Sequence, residues 1–396
     1  MDITKMERIL FGTKLEKSTV LRYNKEAFAL DGWGIMKPKT KALMKMIGWV
    51  LLIAVVAAVA YVSYVWFSYS RIDDNRALVI ENNPEASLSA GRELSALTYN
   101  IGFGAYTPDY SFFMDGGRHA RAYDKETVER LTAGAISTIS QYDPELVILQ
   151  EIDVDADRSH QVNQVTSVTQ ALSDYASVFA FNYDSAYLLY PFHEPIGKTR
   201  SGILSLSKYK IESATRRQLP VETGFNKFFD LDRCFTVLKM PVDNGRTLTL
   251  INIHASAYTD DESVRNAQTE MLMQAIDEAY KAGDYVICGG DFNRDLHGGK
   301  SGELFGFDNP GEPWLTPMDE AKLPAGFRVV PSENAGTVRD TSRDYIKGET
   351  FEAIIDGFIV SDNVDCLSAQ TIDTGYEYSD HNPVLLRFVL EEIEDV

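Results

Sequence analysis

Polar side chains suited to phosphoester chemistry stand at the ends of five short apolar runs. One cluster, Ser379-Asp380-His381-Asn382, pairs an acid with an imidazole just before an apolar run. Carboxylates, amides and imidazoles in such places are typical of metal-assisted phosphoester hydrolysis. The four clusters upstream are Tyr99-Asn100, Gln150-Glu151, Asn252-Ile253-His254 and Gly289-Gly290-Asp291-Phe292-Asn293.

Glu151 and Asn100 are the candidate metal ligands. Each follows an apolar run, so each stands where a buried strand is predicted to end. Hard oxygen ligands suit Mg²⁺, which takes one or two carboxylates from a protein and keeps several waters. Mn²⁺ is the ion that we expect to substitute for it. A solvated turn residue is the alternative interpretation of a single carboxylate in such a place.

Asp291 and Asn293 follow the apolar run Tyr285-Val286-Ile287-Cys288 and two glycines. Their spacing projects both side chains to the same side of an extended segment. An aspartate there can orient or deprotonate a water nucleophile, while the asparagine holds a phosphate oxygen. The alternative interpretation is an Asx turn at a strand end.

His254 and His381 are two of only six histidines, and both stand at predicted strand ends. Imidazole titrates near neutral pH and serves as a proton donor or acceptor, and a neighbouring carboxylate fixes its tautomer. Asp356, which follows Ile354-Ile355, is a further carboxylate that could orient one of the two. A structural role is the alternative for either histidine alone.

Taken in order, these positions resemble the motif set of the endonuclease/exonuclease/phosphatase superfamily, which includes deoxyribonuclease I and the neutral sphingomyelinases. The resemblance covers residues 92 to 390. It implies an α/β fold, a two-sheet sandwich flanked by helices, with the site where strands of both sheets end. The residues that carry it are Asn100, Glu151, His254, Asp291 with Asn293, Asp356, and Asp380-His381.

The resemblance also implies roles for these residues. Mg²⁺ would bind Glu151 with help from Asn100. Asp291 and His381 would prepare the attacking water, and His254 would assist the transition-state oxyanion or the leaving group.

Three further roles follow from the same resemblance. Asn293 would bind phosphate, and Asp380 would hold His381. Asp356 would either orient His254 or contribute to the metal region, and both roles stay open.

The branch within the superfamily is predicted from two segments. Glu352-Ala353-Ile354-Ile355-Asp356-Gly357 lacks the Trp and Arg of the inositol polyphosphate phosphatases, so that branch is disfavoured. An intact His254 and the segment Ser201-Gly202-Ile203-Leu204-Ser205 are more similar to the sphingomyelinase and nuclease branches. Arg200 and Arg233 are candidate phosphate contacts, with an ordinary surface charge as the alternative for each.

Strands and helices alternate in the part of the chain that must position these groups. Apolar residues that share one face predict two helices. One carries Val128, Leu131, Ala135 and Ile139, and the other carries Val264, Met271, Ala275 and Ala279. The predicted strands are Leu94 to Ile101, Leu146 to Gln150, Ser177 to Phe181, Gly202 to Leu206, Cys234 to Met240, Thr247 to Ile253, Tyr285 to Cys288, Ile354 to Val360 and Pro383 to Val389.

Two connecting segments have unusual composition. The glycine- and proline-containing stretch from Arg294 to Ala325 predicts a long irregular loop on the substrate or membrane side. The aromatic segment Tyr183 to Phe192 predicts core packing, with lipid contact or base stacking as the alternatives.

Residues 46 to 70 are predicted to form a transmembrane helix in contact with the lipid bilayer. No charged residue occurs between Lys45 and Arg71, and about 20 apolar residues suffice to span a bilayer. Lysines concentrate before the span, so the positive-inside rule predicts a single-pass protein of the cell membrane with an extracytoplasmic catalytic domain. An uncleaved signal anchor fits this pattern better than a signal peptide does.

The predicted organisation is a cytoplasmic tail at 1 to 45, the span, a linker at 71 to 92, a catalytic domain at 93 to 390 and a tail at 391 to 396. The net charge is −20, although residues 1 to 45 hold ten basic against five acidic residues. An acidic surface disfavours binding to nucleic acid through a broad basic face, but a bound cation still permits phosphate substrates. Three cysteines without a CxxC spacing predict neither a disulfide framework nor a zinc site.

The sequence therefore predicts a membrane-anchored, Mg²⁺-dependent phosphodiesterase that acts on a lipid or a small phosphodiester. One alternative is an extracellular membrane-anchored endonuclease or exonuclease. The other is a catalytically silent binding scaffold. No protein partner is inferred.

Overall fold

The structure is a computed structural model that describes residues 38–224, 227–230, 232–257, 259, 261–307 and 315–392. The chain divides into two compact units, Met1–Val62 and Ser63–Val396. Most of the predicted cytoplasmic tail, the end of the predicted C-terminal tail and the middle of the predicted 294–325 loop lie outside the described residues.

The first helix, α1 (Pro38–Ser68), is long and apolar enough to cross a membrane by length and composition. Its most apolar window has a mean hydropathy of 2.4, and none of that window is buried. The helix begins before the predicted residue 46 because the lysine-containing stretch Pro38 to Lys45 continues the same helical turns.

Among the residues that the structure describes, strands and five further helices follow α1. The strands are β1 (Arg76–Ala77), β2 (Glu93–Asn100), β3 (Leu146–Ala156), β4 (Ala176–Asp184), β5 (Thr199–Ser207), β6 (Ser213–Gln218), β7 (Cys234–Pro241), β8 (Thr247–His254), β9 (Tyr285–Asp291), β10 (Phe327–Val330), β11 (Val338–Arg339), β12 (Glu352–Ala353), β13 (Asp356–Ser361), β14 (Val364–Thr371) and β15 (Val384–Leu390). The helices are α2 (Lys125–Tyr142), α3 (Gln164–Ala171), α4 (Lys227–Asp230), α5 (Glu262–Lys281) and α6 (Ser301–Leu304).

These elements form a two-sheet α/β sandwich flanked by helices, which is the fold class that the sequence predicts. One sheet has the strand order β1-β6-β7-β8-β9-β13-β10, and the other has the order β14-β15-β2-β3-β5-β4. The short strands β11 and β12 pair separately. Most pairs are antiparallel, but β2 with β3 and β8 with β9 are parallel.

Alternation along the central strands explains why the two sheets stack. In β3, Leu146 and Ile148 face the other sheet, whereas Val147 and Leu149 pack in the core on the opposite face, with residues of α2 and α3. In β8, Leu250 faces inward in the same way. Strands covered on both faces need apolar residues at nearly every position, which is why their sequences are continuous apolar runs.

Helix α2 covers the outer face of the six-stranded sheet. Its N-cap is Asp124, which accepts a hydrogen bond from the backbone N–H of Thr127, and such caps stabilise the first helical turn. The four apolar positions predicted to share one face, Val128, Leu131, Ala135 and Ile139, are all buried. The prediction for this helix is therefore confirmed.

Helix α5 lies on the other sheet, and its buried face is rotated from the predicted one. Leu272, Met273 and Ile276 are buried with Ala279, while Met271 and Ala275 are only partly covered. Gln268 is also on the buried face. Its side chain accepts a hydrogen bond from the Ser256 N–H and donates to the Ser256 hydroxyl and the Pro220 carbonyl. The sequence prediction missed the face because a buried glutamine interrupts its apolar pattern.

Residues 71 to 92, predicted as a linker, instead contribute to the folded unit. Strand β1 pairs with β6, and Leu88 is fully buried in the core between the sheets. The side chain of Asn83 accepts a hydrogen bond from the Ile211 N–H and donates one to the Ile211 carbonyl. The prediction was wrong because polar asparagines and a proline indicate a loop, whereas here they tie an irregular segment to the domain.

Of the glycines in the described part of the chain, Gly290 in β9 is the one whose replacement should cost the most. Its φ is +145°, and an added Cβ would lie 2.0 Å from the carbonyl oxygen of Ile253. We expect Gly290→Ala to lower the free energy of unfolding by about 3 kcal/mol or more, measured by urea denaturation. Gly245→Ala is the control, because its φ is +83° but nothing lies within 4 Å of the added Cβ. Equal losses in both variants would contradict this account.

Candidate active site

Strand register places three candidate residues side by side at the end of the seven-stranded sheet. His254 of β8 pairs with Asp291 of β9, and Asp291 pairs with Asp356 of β13. His254 Nε2 lies 3.6 Å from Asp291 Oδ2. All three side chains are almost fully buried. Backbone pairing thus holds one imidazole and two carboxyl groups in a row.

His381 joins this row from the loop before β15. Its Nδ1 lies 2.8 Å from Asp356 Oδ2, and its Nε2 lies 3.9 Å from Asp291 Oδ2. The carboxylate that orients His381 is therefore Asp356, which corrects both the expectation for Asp380 and the suggestion that Asp356 orients His254. Asp380 Oδ1 instead accepts from the Ser379 hydroxyl. Adjacent residues in this extended loop point in different directions, so the acid next in sequence is not the acid next in space.

The six-stranded sheet supplies the predicted metal ligands. Asn100 ends β2, and its Nδ2 donates to Asp291 Oδ2 at 3.0 Å and lies 3.4 Å from Glu151 Oε1. Asn100 Oδ1 accepts from the backbone N–H of Gly102, so the nitrogen of the amide faces the carboxylates. Glu151 Oε1 lies 3.8 Å from His254 Nε2. The structure brings these groups of both sheets together at one edge.

Glu151 reaches the site because β3 is irregular at that point. The pairing of β3 with β5 shifts between Leu149 and Ile152, and Glu151 has a φ of +52°. Such a bulge turns one side chain away from strict alternation, and bulges are common beside active sites. The side chain of Glu151 is 25% exposed, whereas those of His254, Asp291, Asp356 and His381 are at most 6% exposed.

Gln150 and Asn252, which belong to the predicted strand-end clusters, lie between the sheets and away from the cleft. Each stands two residues after an inward apolar residue of its strand, Ile148 or Leu250, so the two amides meet and Gln150 Nε2 donates to Asn252 Oδ1 at 2.8 Å. Asn252 Nδ2 also donates to the carbonyls of Leu149 and Leu204. Both side chains are fully buried, and their hydrogen bonds connect strands of the two sheets.

Burial and neighbouring charges separate the protonation states of these groups. Burial, with the nearby Asp356 carboxylate, raises the pKa of Asp291 to about 7. Burial opposes the charged form of His381, but Asp356 and Asp380 outweigh it and raise the pKa of His381 to about 10. Burial, followed by the charges of Arg233 and His381, holds the pKa of His254 well below its usual value. His254 is thus a neutral imidazole and His381 an imidazolium.

The tautomer of His254 follows from its surroundings. Its Nε2 faces the carboxylates of Glu151 and Asp291, which accept hydrogen bonds, and its Nδ1 lies 3.4 Å from Asn182 Nδ2. The proton therefore belongs on Nε2, with Nδ1 accepting from Asn182. Asn182 was missed in the sequence because it stands within a strand, and its partner becomes visible only once the two sheets are stacked.

The site fits a divalent cation. Ligand atoms of Asp291, Asp356 and His381 lie within 4.8 Å of one another, and Asp356 Oδ1 is buried without a hydrogen-bond partner. Glu151 adds a partly exposed carboxylate beside them. Carboxylate oxygens are the ligands that hard divalent cations prefer.

A cleft with one aromatic wall opens beside His254 and Glu151. Its polar wall contains Arg158 and Arg233, the second of which is a predicted phosphate contact. Arg158 binds Asp153 through two nitrogens and lies over the Phe103 ring, so its charge is largely paired. The lining residues are Phe103, Tyr106, Phe112, Phe113, Met114, Glu151, Arg158, Asn182, Tyr183, Ile196, Ser201, Arg233 and His254.

Two predicted substrate contacts lie elsewhere. Arg200 forms an ion pair with Asp184 at 3.6 Å and is not among the residues that line the cleft, where its neighbour Ser201 stands instead. Asn293 donates from its side chain to the carbonyl of Ala255, and its backbone N–H donates to Asp291 Oδ1 at 2.9 Å. The backbone of Asn293 thus holds the catalytic candidate Asp291, and its side-chain nitrogen is bonded to Ala255.

The different positions of the two arginines lead to a matched prediction. We expect Arg233→Ala to lower kcat/KM for a phosphodiester about 10- to 100-fold, because a charged hydrogen bond contributes about 1.5–3 kcal/mol. Arg200→Ala removes the same group outside the cleft and should change kcat/KM by less than about threefold, as expected for an exposed ion pair. Steady-state kinetics on both variants, with melting temperatures as folding controls, test the difference. Equal effects would contradict it.

The fold and the site together define a metal-dependent phosphoester hydrolase. A sequence model of the Endonuclease/Exonuclease/phosphatase family matches residues 97–381. The chain therefore belongs to the endonuclease/exonuclease/phosphatase family, as its sequence motifs predict. No curated protein sequence matches the chain.

Solved structures share this fold at low sequence identity. The endonuclease/exonuclease/phosphatase from Beutenbergia cavernae DSM 12333 has a TM-score of 0.54 and 15% identity, covering 77% of this chain and 73% of its own. ANGEL2, a 2′,3′-cyclic phosphatase solved in complex with adenosine-2′,3′-vanadate, has a TM-score of 0.51 and 14% identity, covering 82% and 100%. At these identities the likeness is evidence for the fold alone, and the predicted fold class is confirmed.

Proposed function

We propose that this chain is a membrane-anchored, Mg²⁺-dependent phosphodiesterase that cleaves a lipid or a small phosphodiester. The observation that carries the proposal is the row His254, Asp291, Asp356 and His381 beside the partly exposed carboxylate of Glu151. The row combines a neutral imidazole, a carboxyl with a pKa near neutrality and an imidazolium within one buried edge.

Asp291 is the proposed base. Its pKa of about 7 lets it take a proton from water at neutral pH, and general bases work best near the operating pH. Asn100 and the backbone of Asn293 hold its two oxygens in place. His381, held by Asp356, places Nε2 3.9 Å from the same carboxylate as a neighbouring positive charge.

His254 is the proposed donor to the phosphoryl group. Its Nε2–H points into the space between Glu151 and Asp291, at the edge of the cleft. A neutral imidazole there can donate a hydrogen bond to a phosphoryl or leaving-group oxygen without a prior proton transfer. Arg233 adds a positive charge on the same wall.

A divalent cation would be held by Glu151, with the unpartnered Oδ1 of Asp356 as a further carboxylate oxygen, so that Asp291 stays available as the base. When bound, it supplies positive charge to phosphoryl oxygens and favours the charged forms of its ligands. The side-chain oxygen of Asn100 accepts a hydrogen bond from the Gly102 N–H. The proposed role of Asn100 is therefore to orient Glu151 and Asp291 by donating hydrogen bonds from its nitrogen.

The apolar helix α1 and the acidic charge outside the first 45 residues support the substrate class and the location. A chain anchored beside a bilayer meets lipid headgroups at high local concentration, and a net charge of −20 opposes close approach of a nucleic-acid backbone. By the positive-inside rule, the catalytic unit lies outside the cytoplasm of a single-pass membrane protein.

Hydrolysis assays on the full chain test the proposal. The protein, in vesicles with Mg²⁺, is offered phosphatidylcholine or sphingomyelin, bis(4-nitrophenyl) phosphate and plasmid DNA, with His254→Ala and EDTA as controls. Phosphodiester cleavage that both controls abolish is the expected result. DNA nicking without cleavage of the other substrates would identify a surface nuclease, and full activity in EDTA would overturn the metal dependence.

A further inference from the structure

An exposed apolar surface lies on the connection between β4 and β5. Tyr187, Leu189, Tyr190 and Phe192, here termed the aromatic rim, are 37%, 38%, 53% and 84% exposed. From Ser185 to Phe192 the segment contains no charged residue. Exposed apolar patches of this kind mark surfaces that meet another apolar phase. The predicted core packing of Tyr183 to Phe192 is therefore wrong for these four residues.

The aromatic rim is held in a defined conformation. Leu188 is buried and forms an antiparallel bridge with Gly197, with N–H···O distances of 3.1 Å in both directions. The backbone N–H of Ile196 donates to the carbonyl of Tyr190. The exposed side chains thus project from a short hairpin, and their exposure follows from its geometry.

The aromatic rim borders the cleft. The ring of Tyr190 contacts that of Phe113 at a centroid distance of 5.7 Å, and Phe113 belongs to the aromatic wall. Ile196, on the returning arm of the hairpin, lines the cleft as well. Whatever covers the aromatic rim therefore lies at the mouth of the candidate active site.

The end of the apolar helix meets the same hairpin. The backbone N–H of Tyr187 donates to the hydroxyl of Tyr64 at 3.2 Å, and Tyr64 lies near the C-terminal end of α1. Nearby, Lys227 places its ammonium 4.3 Å from the ring of Trp66 and 4.4 Å from that of Tyr69. Tyrosine, tryptophan and lysine at the end of an apolar span are typical of the membrane interface.

We propose that the aromatic rim inserts into the interface of the lipid bilayer beside the end of α1, so that the cleft opens onto the membrane surface. This inference rests on the membrane anchoring proposed above and deepens it. The occupant is a phospholipid bilayer, because the rim is aromatic, uncharged and continuous with the end of the apolar helix. A cleft mouth in that position favours a phosphoester within the bilayer as the substrate.

Spin labelling of the full chain tests the placement. Cys366 is replaced by serine, the buried Cys234 and Cys288 remain, and a nitroxide is attached at Phe192→Cys. Leu367→Cys is the matched control, since Leu367 is 49% exposed on β14, at the opposite edge of the sheet from β4. The chain is reconstituted in phosphatidylcholine vesicles, washed with alkaline carbonate and studied by power-saturation electron paramagnetic resonance.

The expected result is that the label at position 192 collides more with oxygen than with a nickel chelate, while the label at position 367 shows the reverse. A retained chain whose label at 192 is as accessible to nickel as the control would overturn the insertion of the aromatic rim alone. Release of the chain by carbonate would overturn the anchor and the insertion together. Because residue 192 is exposed, its substitution does not disturb the core.

Discussion

Asp291→Asn is expected to reduce kcat for phosphodiester hydrolysis about 1,000-fold, since a positioned general base contributes about 10²- to 10⁴-fold. The amide has the shape of the carboxyl group but cannot take a proton from water. Asp291 is buried, and its raised pKa shows that its charged form is disfavoured there. The neutral amide avoids that cost but replaces one oxygen that accepts a hydrogen bond from Asn100 or Asn293, so the melting temperature should fall by no more than in the control below.

Asp295→Asn is the matched control for this substitution. Asp295 is also fully buried, but its carboxylate accepts hydrogen bonds from His297 N–H and from the N–H and hydroxyl of Ser301. Replacing one acceptor oxygen by an NH₂ group should cost about 1–3 kcal/mol of stability and leave kcat nearly unchanged. The two variants thus separate catalysis from folding. Retention of more than a tenth of wild-type kcat in Asp291→Asn would rule out its role as the base.

Glu151→Gln is expected to abolish the rise in melting temperature that Mg²⁺ causes in the wild-type chain. A ligand that binds only the folded state at 100 times its Kd stabilises it by about 2.7 kcal/mol, which corresponds to a shift of several degrees. Glutamine keeps the size of the side chain but removes the charge that attracts the cation. The measurement is a thermal melt of the full chain at increasing Mg²⁺, with EDTA as the baseline.

Glu93→Gln provides the control for the change in net charge. Glu93 is exposed at the start of β2 and pairs with Arg387, far along the strand from Asn100. Its substitution should leave the Mg²⁺-induced shift intact. A full shift in Glu151→Gln would place the cation on other residues, of which Asp291, Asp356 and His381 are the nearest group.

The central strands were predictable because they are buried on both faces and therefore read as unbroken apolar runs. Strands β6, β10 and β14 were missed, since they contain polar or small residues and lie at or near sheet edges. Strand β3 runs to Ala156, beyond the predicted Gln150, because its bulge at Glu151 continues the pairing through charged residues. Burial on one face permits such polar sequences.

The residues of the site were predictable in type and position but not in all their partners. Asn100, Glu151, His254, Asp291 and His381 do meet at one edge. Asn100, His254 and Asp291 end strands of the same stack, whereas Glu151 lies at the bulge of β3 and His381 precedes β15. The pairing of His381 with Asp356, and of His254 with Asn182, depends on how the strands are registered and stacked. Local sequence carries no information on such contacts between distant strands.

The amide pair of Gln150 and Asn252 has a consequence for how activity depends on the protein interior. Glu151 follows Gln150 directly, and His254 lies two residues after Asn252, so this pair sets the spacing between groups carried by different sheets. A core substitution that shifts one sheet by a fraction of an ångström changes the distance between reacting groups while every reacting residue stays in place. Differences in turnover between relatives can therefore originate in buried, chemically inert positions, and the mechanical stiffness of the sandwich becomes a determinant of its rate.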